Sequence, residues 1–178
     1  MSKASDLLER VSTLQRSEMR RFAQKHGLHM VHLEVLSYLA KCNRYSNTTL
    51  ALSEYLGQTK GSISQTVTYL ENEGYLHRVQ DGKDKRVFHL TLLANGRNLV
   101  NEYDAGLFGD IELEHSTTDA LELLIREAQK KQSYKSFGIC STCRFNSSPT
   151  ARKFLCLLTG ENLSVEETEL HCKEHEFP

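Results

Sequence analysis

No stretch of this sequence approaches the roughly 20 consecutive apolar residues that a membrane-spanning helix needs, and Met1 to Arg10 lacks the apolar core of a secretory leader. No membrane partner is therefore expected, and the cytoplasm is the expected compartment. Also missing are a glycine loop that could cradle phosphates, a nucleophile elbow and an H-E-x-x-H pair. Acidic residues are numerous but scattered over expected helix faces, where solvated surface explains them. An enzyme would have to be a thiol redox enzyme built on the cysteines, which would leave the motifs described next without a role. The expectation is that the protein is not an enzyme.

What is present begins with an ordinary composition. At 178 residues, 39% hydrophobic and 25% charged, the chain has room for one main domain and a small second unit. The net charge of −1 divides unevenly: residues 1–100 hold 14 Lys and Arg against 9 Asp and Glu, and residues 101–178 hold 8 against 14. The first part is therefore positive and the rest negative. A local field matters more than total charge when a protein meets a polyanion.

The centre of the chain, residues 48–74, reads as helix, tight turn, helix. Leu52 and Leu56 repeat at helical spacing before Gly57. Thr59 can cap a second helix, whose Ile63, Val67 and Leu70 form an apolar stripe that ends before Gly74. Its opposite face is expected to carry Lys60, Ser62, Gln65, Thr66 and Tyr69, short polar groups suited to base edges in a major groove. Over residues 75–92 the period turns from helical to alternating. Two short strands, YLHRV and RVFHLTL, flank Gln80-Asp81-Gly82-Lys83-Asp84, and Asp-Gly is a hairpin signal. Lys83, Lys85 and Arg86 at the tip and Arg78 at the base make a basic wing for phosphates or a minor groove. Helix, turn, helix and hairpin in this order make a winged helix-turn-helix.

The same residues resemble the MarR family of bacterial winged-helix transcription regulators. The likeness rests on Leu52 to Gly57, on Gly61-Ser62-Ile63-Ser64 through Leu70-Glu71-Asn72-Glu73-Gly74-Tyr75-Leu76-His77-Arg78, and on Asp84-Lys85-Arg86 leading to Leu92 and then Gly96; it spans roughly residues 5 to 132. The resemblance implies that Asp84 and Arg86 hold the wing in shape and present it to the DNA backbone. It also implies a repressor, and small aromatic effectors bound between dimer helices and DNA-binding lobes. Leu93 departs from the family pattern, which places a Thr there to start the next helix. A winged helix can instead dock proteins, and that protein-interaction module is the competing reading.

Around this centre the chain is mostly helical, so the expected class is mostly α with a small β-hairpin wing (α+β). Ala4 to Lys25 is expected as an amphipathic helix with Leu7, Val11, Leu14 and Phe22 on one side, and His26 to Asn43 as a second with Met30, Leu33, Leu36, Leu39 and Ala40 inward. Cys42 is expected to be a buried small apolar residue. His26, His29 and His32 recur every third residue but lack an acidic partner for a metal. After Gly96, Arg97 to Tyr103 and Asp119 to Lys131 are expected helices, with Gly106 and Gly109 between them and Leu121, Leu124, Ile125 and Ala128 on one face. By the resemblance, these and the first helix form a homodimer. A two-fold dimer places two recognition helices about one turn of double-stranded DNA apart, which predicts an inverted-repeat operator.

Residues 1–132 thus form the DNA-binding and dimerisation domain, and residues 133–178, from Ser133, a cysteine-rich extension that the resemblance does not cover. It holds Cys140, Cys143, Cys156 and Cys172. A C-x2-C turn can offer two thiolates to one metal, and about 45 residues have little core of their own without a staple. Phe145, Phe154, Leu155, Leu157 and Leu158 could shield the site, and Ser164 with Glu167 forms a capping box for a short helix through Leu170. Structural zinc is the first reading of these four candidate metal ligands, an iron–sulfur cluster the alternative, and free or disulfide-forming thiols the third. The second C-x2-C of a zinc ribbon is missing. His171 and His175 flank Cys172 and could each replace one ligand.

Overall fold

A computed structural model of the protein describes residues 3–104, 106, 111–132, 135–150 and 153–178. Gly109 and Ser133 lie outside the described residues. In chain order the elements are α1 (Lys3–Lys25), α2 (Met30–Lys41), α3 (Thr49–Leu56), α4 (Lys60–Asn72), β1 (Leu76–Gln80), β2 (Phe88–Leu92), α5 (Ala94–Asp104) and α6 (His115–Gln132). The tail adds a 3-10 turn (Cys140–Thr142), β3 (Asn146–Thr150), β4 (Lys153–Cys156), β5 (Glu161–Leu163) and α7 (Val165–Thr168). Among the described residues no helix is long and apolar enough to cross a membrane.

The helix-turn-helix forms where capping chemistry allows it. Thr48 accepts the Ala51 amide at the start of α3, and Gly57 ends the helix at φ +62°. Thr59 accepts the Ser62 amide at the start of α4. Ser, Thr, Asp or Asn at such a position satisfies an orphan N–H, and a left-handed C-terminal residue favours glycine. Ile63, Val67 and Leu70 are fully buried against Leu33, Leu36, Leu52 and Leu76, which join α2, α3, α4 and the wing in one core. The antiparallel wing pairs Leu76 with Leu92 and Gln80 with Phe88.

Several expected boundaries move. The helix expected over His26 to Asn43 begins only at Met30, because Gly27 turns the chain at φ +69°. The three histidines do not gather as one set: His26 packs tilted on Phe22, while His32 meets His29 edge to face with ring centroids 5.3 Å apart and stacks on Tyr69 at 4.3 Å. The wing strands end at Gln80 and restart at Phe88, leaving a seven-residue connection in place of a tight Asp-Gly hairpin. Gly82 is not among the positive-φ glycines, so the mirror-image turn that Asp-Gly favours does not form. Leu93 does not delay the next helix. Its amide donates to the Tyr75 carbonyl at 2.9 Å, and α5 starts one residue later. Finally, α6 starts four residues before Asp119, in a polar run without apolar periodicity.

The tail is not a satellite. A three-stranded sheet, order β3-β4-β5, carries it, and Phe137 packs into the main core against Tyr38 and Tyr55. Phe137 holds φ at +45°, a left-handed value that a bulky residue keeps only when packing dictates it. The Ser164–Glu167 capping box forms as expected, although its helix ends at Thr168.

A Cβ at Gly96 would press deep into the Tyr75 carbonyl oxygen, where the first turn of α5 crosses the entry to the wing. Backbone sits on both sides, so neither can yield cheaply. Gly96→Ala is expected to destabilise the fold by about 1–3 kcal/mol, as overpacking does. Urea denaturation measures it, and an unchanged midpoint would show that the two segments separate freely.

Candidate nucleic-acid interface and cysteine cavity

The outer face of α4 presents Lys60, Gly61, Ser64, Gln65, Thr68 and Tyr69 to solvent, with Ser62 half-buried. Thr66, expected on this face, is turned inward. It is 7% exposed and its hydroxyl donates to the Ser62 carbonyl at 3.0 Å, because position 66 adjoins Val67 and Ile63 on the packed side of the helix. Ser64 and Thr68 take the outward positions that the residue-type argument missed; spacing from Gln65 by one and three would have found them.

Arg78 is also less available than its charge suggests. Its backbone amide donates to Glu71 Oε1 at 3.1 Å, its Nε lies 3.4 Å from Glu71 Oε2, and its Nη2 donates to Thr68 Oγ1 at 2.7 Å. These bonds fix the angle between α4 and the wing, so Arg78 braces the interface from its own side.

The wing tip is organised by two carboxylates. Arg86 donates to both oxygens of Asp84, from Nε at 3.0 Å and from Nη2 at 2.8 Å, and its side chain is 89% exposed. Two of its five N–H groups are used, and the others face outward. Asp81, which the sequence reading treated only as part of a turn, is the hub. Its Oδ1 accepts the amides of Lys83 and Asp84, both at 2.7 Å, and its Oδ2 pairs with His89 Nε2 at 3.0 Å. The other nitrogen of His89 meets Asn47 Oδ1 at 2.6 Å. The two amides, with His89 adding to them, hold the Asp81 carboxyl down at about 2. Lys83 and Lys85 are exposed and make no ion pair among the described residues.

Behind the wing lies a cavity of about 360 Å³. All four tail cysteines line it: Cys140 from the 3-10 turn, Cys143 directly after it, Cys156 from the end of β4, and Cys172 from the last segment. Phe145 and Leu158 of the expected apolar shell line it too, and the opposite wall is Asp81, Val87 and His89 of the wing with Arg44, Tyr45 and Thr48. All four are free thiols. Burial, and then the neighbouring cysteines, push the Cys140 thiol up to about 11. Among the described residues no group of three or more His, Cys, Asp or Glu is drawn together to hold a metal ion. Neither histidine candidate completes a ligand set. His175 is buried with its two ring nitrogens 2.7 Å from Ser136 Oγ and 3.0 Å from Thr142 Oγ1, and His171 Nδ1 is 2.9 Å from the Phe137 carbonyl. Cys42 is a separate, buried thiol, as expected, raised to about 12 by burial.

The segment between α2 and α3 joins this cavity to the wing. On one edge Asn43 donates to the His171 carbonyl at 2.9 Å, and Ser46 Oγ accepts the Lys173 amide at 2.8 Å. On the other, the Asn47 carbonyl accepts the Leu90 amide at 2.7 Å. Arg44 pairs with Glu161 and Glu167 of the tail, and Tyr45 donates to Glu161 at 2.5 Å. Hydrogen bonds from Tyr45 and Arg44, with Lys83 nearby, hold the Glu161 carboxyl below its usual range.

A second cavity, about 510 Å³, opens between α1, α2, α3 and α5, with Tyr38, Tyr55, Tyr103 and Arg16 in its wall and His171 of the tail at its edge.

A sequence model of the MarR family matches residues 26–87, the span from the end of α1 to the wing tip. Over that span the chain is similar to the MarR family. A MarR transcriptional regulator from Methanosarcina mazei Go1 superposes with a TM-score of 0.55 at 20% identity, over 72% of this chain and 97% of that one. MepR of S. aureus, in a DNA complex, gives 0.53 at 17% identity, over 74% and 99%. The reduced form of MarR from E. coli gives 0.53 at 18%, over 72% and 97%. At such identities the likeness establishes the MarR fold. About a quarter of the chain has no counterpart in these structures, a share close to that of the cysteine-rich tail. A comparison with curated proteins found no match.

Because the folded carboxyl of Asp81 lies below its ordinary 3.8, its contribution to the wing is complete above that value and is lost only as pH falls toward about 2. The amide shifts of Lys83 and Asp84 in an acid titration are expected to hold steady through the ordinary carboxylate range and then move. A midpoint near 3.8 would show that the carboxylate does not hold the tip.

Proposed function

We propose that this protein is a MarR-family regulator of transcription that binds double-stranded DNA in a sequence-specific manner, as a homodimer on an inverted-repeat operator and as a repressor. The observation that carries this reading is the exposed polar face of α4 set beside a wing whose tip shows Lys83, Lys85 and the outer edge of Arg86. Such a helix fits a major groove and such a wing the adjoining phosphates. The fold shared with MepR, which is solved as a DNA complex, supports it.

The homodimer is supported by what α1 and α6 leave uncovered. Leu7 and Val11 of α1 are 57% and 48% exposed, and Leu124 and Ile125 of α6 are 42% and 54% exposed. None of the described side chains of α6 is buried, although the helix runs for 18 residues. A helix in water draws most of its stability from packing an apolar face. A second copy of the chain is the partner that covers both stripes. The cavity between α1, α2, α3 and α5, walled by three tyrosines, suits a small aromatic effector. The four tail cysteines form a metal site, zinc or an iron–sulfur cluster, that staples the tail or reports a signal. The cytoplasm, where the DNA lies, is the working compartment.

Selection from random duplexes is expected to enrich an inverted repeat, with the bound species a dimer by sedimentation. Arg86→Ala should weaken binding to that site several-fold and lower the slope of log affinity against log salt by about one, the signature of one lost phosphate contact. No enrichment of any duplex would overturn the regulator and favour a protein-docking module; an unchanged slope would remove Arg86 from the interface.

A further inference from the structure

We infer that Cys140, Cys143, Cys156 and Cys172 hold an iron–sulfur cluster, and that its presence sets the pose of the wing and thereby the affinity for DNA. This rests on the reading of the chain as a DNA-binding regulator.

The ligand class follows from the donors and the space. A single tetrahedral zinc needs its sulfurs about 2.3 Å from one point. Here four cysteines from three segments line one cavity of about 360 Å³, room enough for a centre of several iron and sulfur atoms. Four cysteine thiolates are the usual ligand set of such a centre, shared among its irons. Cysteine supplies all four ligands in such a cluster, and both nearby histidines are engaged elsewhere. Phe145, Val87 and Leu158 give the cavity apolar walls.

The output follows from what else touches the cavity. Its far wall is the wing itself, through Asp81, Val87 and His89. Cys172 is bracketed by two hydrogen bonds to the α2–α3 segment, His171 to Asn43 and Lys173 to Ser46. One residue on, Asn47 holds His89 and Leu90 of β2, and His89 holds Asp81, whose carboxylate shapes the wing tip. Drawing Cys172 onto a cluster therefore pulls on a short chain of direct bonds that ends at Lys83 and Asp84. Emptying the cavity releases that chain and leaves a void behind the wing.

The full-length protein purified without oxygen is assayed for iron, acid-labile sulfide and zinc, with its visible spectrum. Affinity for the selected duplex is then measured before and after a chelator removes the metal. Expected are iron and sulfide in near-equal amounts, a brown chromophore lost in Cys156→Ser, and a change in DNA affinity of roughly 5- to 150-fold between the two forms, the usual span of linked sites. Ser46→Ala, which removes the bond to Lys173 together with the one from the Ser46 hydroxyl to Asn43, should keep the chromophore and shrink that ratio. Zinc alone, or no metal, would overturn the cluster. A cluster whose removal leaves affinity within twofold would overturn the link to the wing. Should neither form bind any duplex, the link and the regulator reading fail together, while the iron and sulfide content still decides the cluster.

Discussion

The six residues from Asn43 to Thr48 bear on everything that gives this protein its particular form. They carry a backbone that hydrogen-bonds the wing on one edge and the tail on the other, so neither can shift without the other registering it. Buried polar groups must be paired, and this segment satisfies them: Ser46 is fully buried with its hydroxyl on Asn43, and Tyr38 reaches up from α2 to the Ser46 carbonyl at 2.9 Å. The segment is thereby anchored to the core helix. A connection of this kind behaves as a strand shared by two structures more than as a loop.

The wing illustrates how charge is divided between shape and recognition. Of its basic residues, Arg78 is spent on Glu71 and Thr68, and Arg86 is half-engaged by Asp84, while the two lysines are open to solvent. Exposed ion pairs add little to stability. Their value here is geometric, because a fixed guanidinium meets a phosphate at a lower entropic cost than a free one. Asp81 does the same for the backbone of the tip through two amides and one imidazole.

The tail would be too small to fold well alone. It gains order by lending Phe137 to the main core and by docking its last strand-like segment on the α2–α3 connection. The cavity that results is bounded partly by each unit, and its chemistry belongs to both. Four thiols at the back of the wing put whatever they bind within reach of the hairpin's outer surface.

The sequence by itself determined the helix-turn-helix, its caps at Thr48 and Thr59, its core stripe of Ile63, Val67 and Leu70, the existence of a wing, and the Ser164 capping box. All of these follow from local periodicity and from hydrogen bonds spanning at most four residues, which a linear chain displays directly. Tertiary structure decided the rest. Thr66 faces inward and Arg78 is claimed by Glu71 because neighbouring elements compete for them, and residue type cannot report that competition. The hub role of Asp81 depends on His89 and Asn47, the latter 34 residues earlier in the chain. The meeting of four cysteines behind the wing depends on Phe137 and the Asn43–Thr48 segment, contacts more than 80 residues apart in sequence whose pairing only the packed fold specifies.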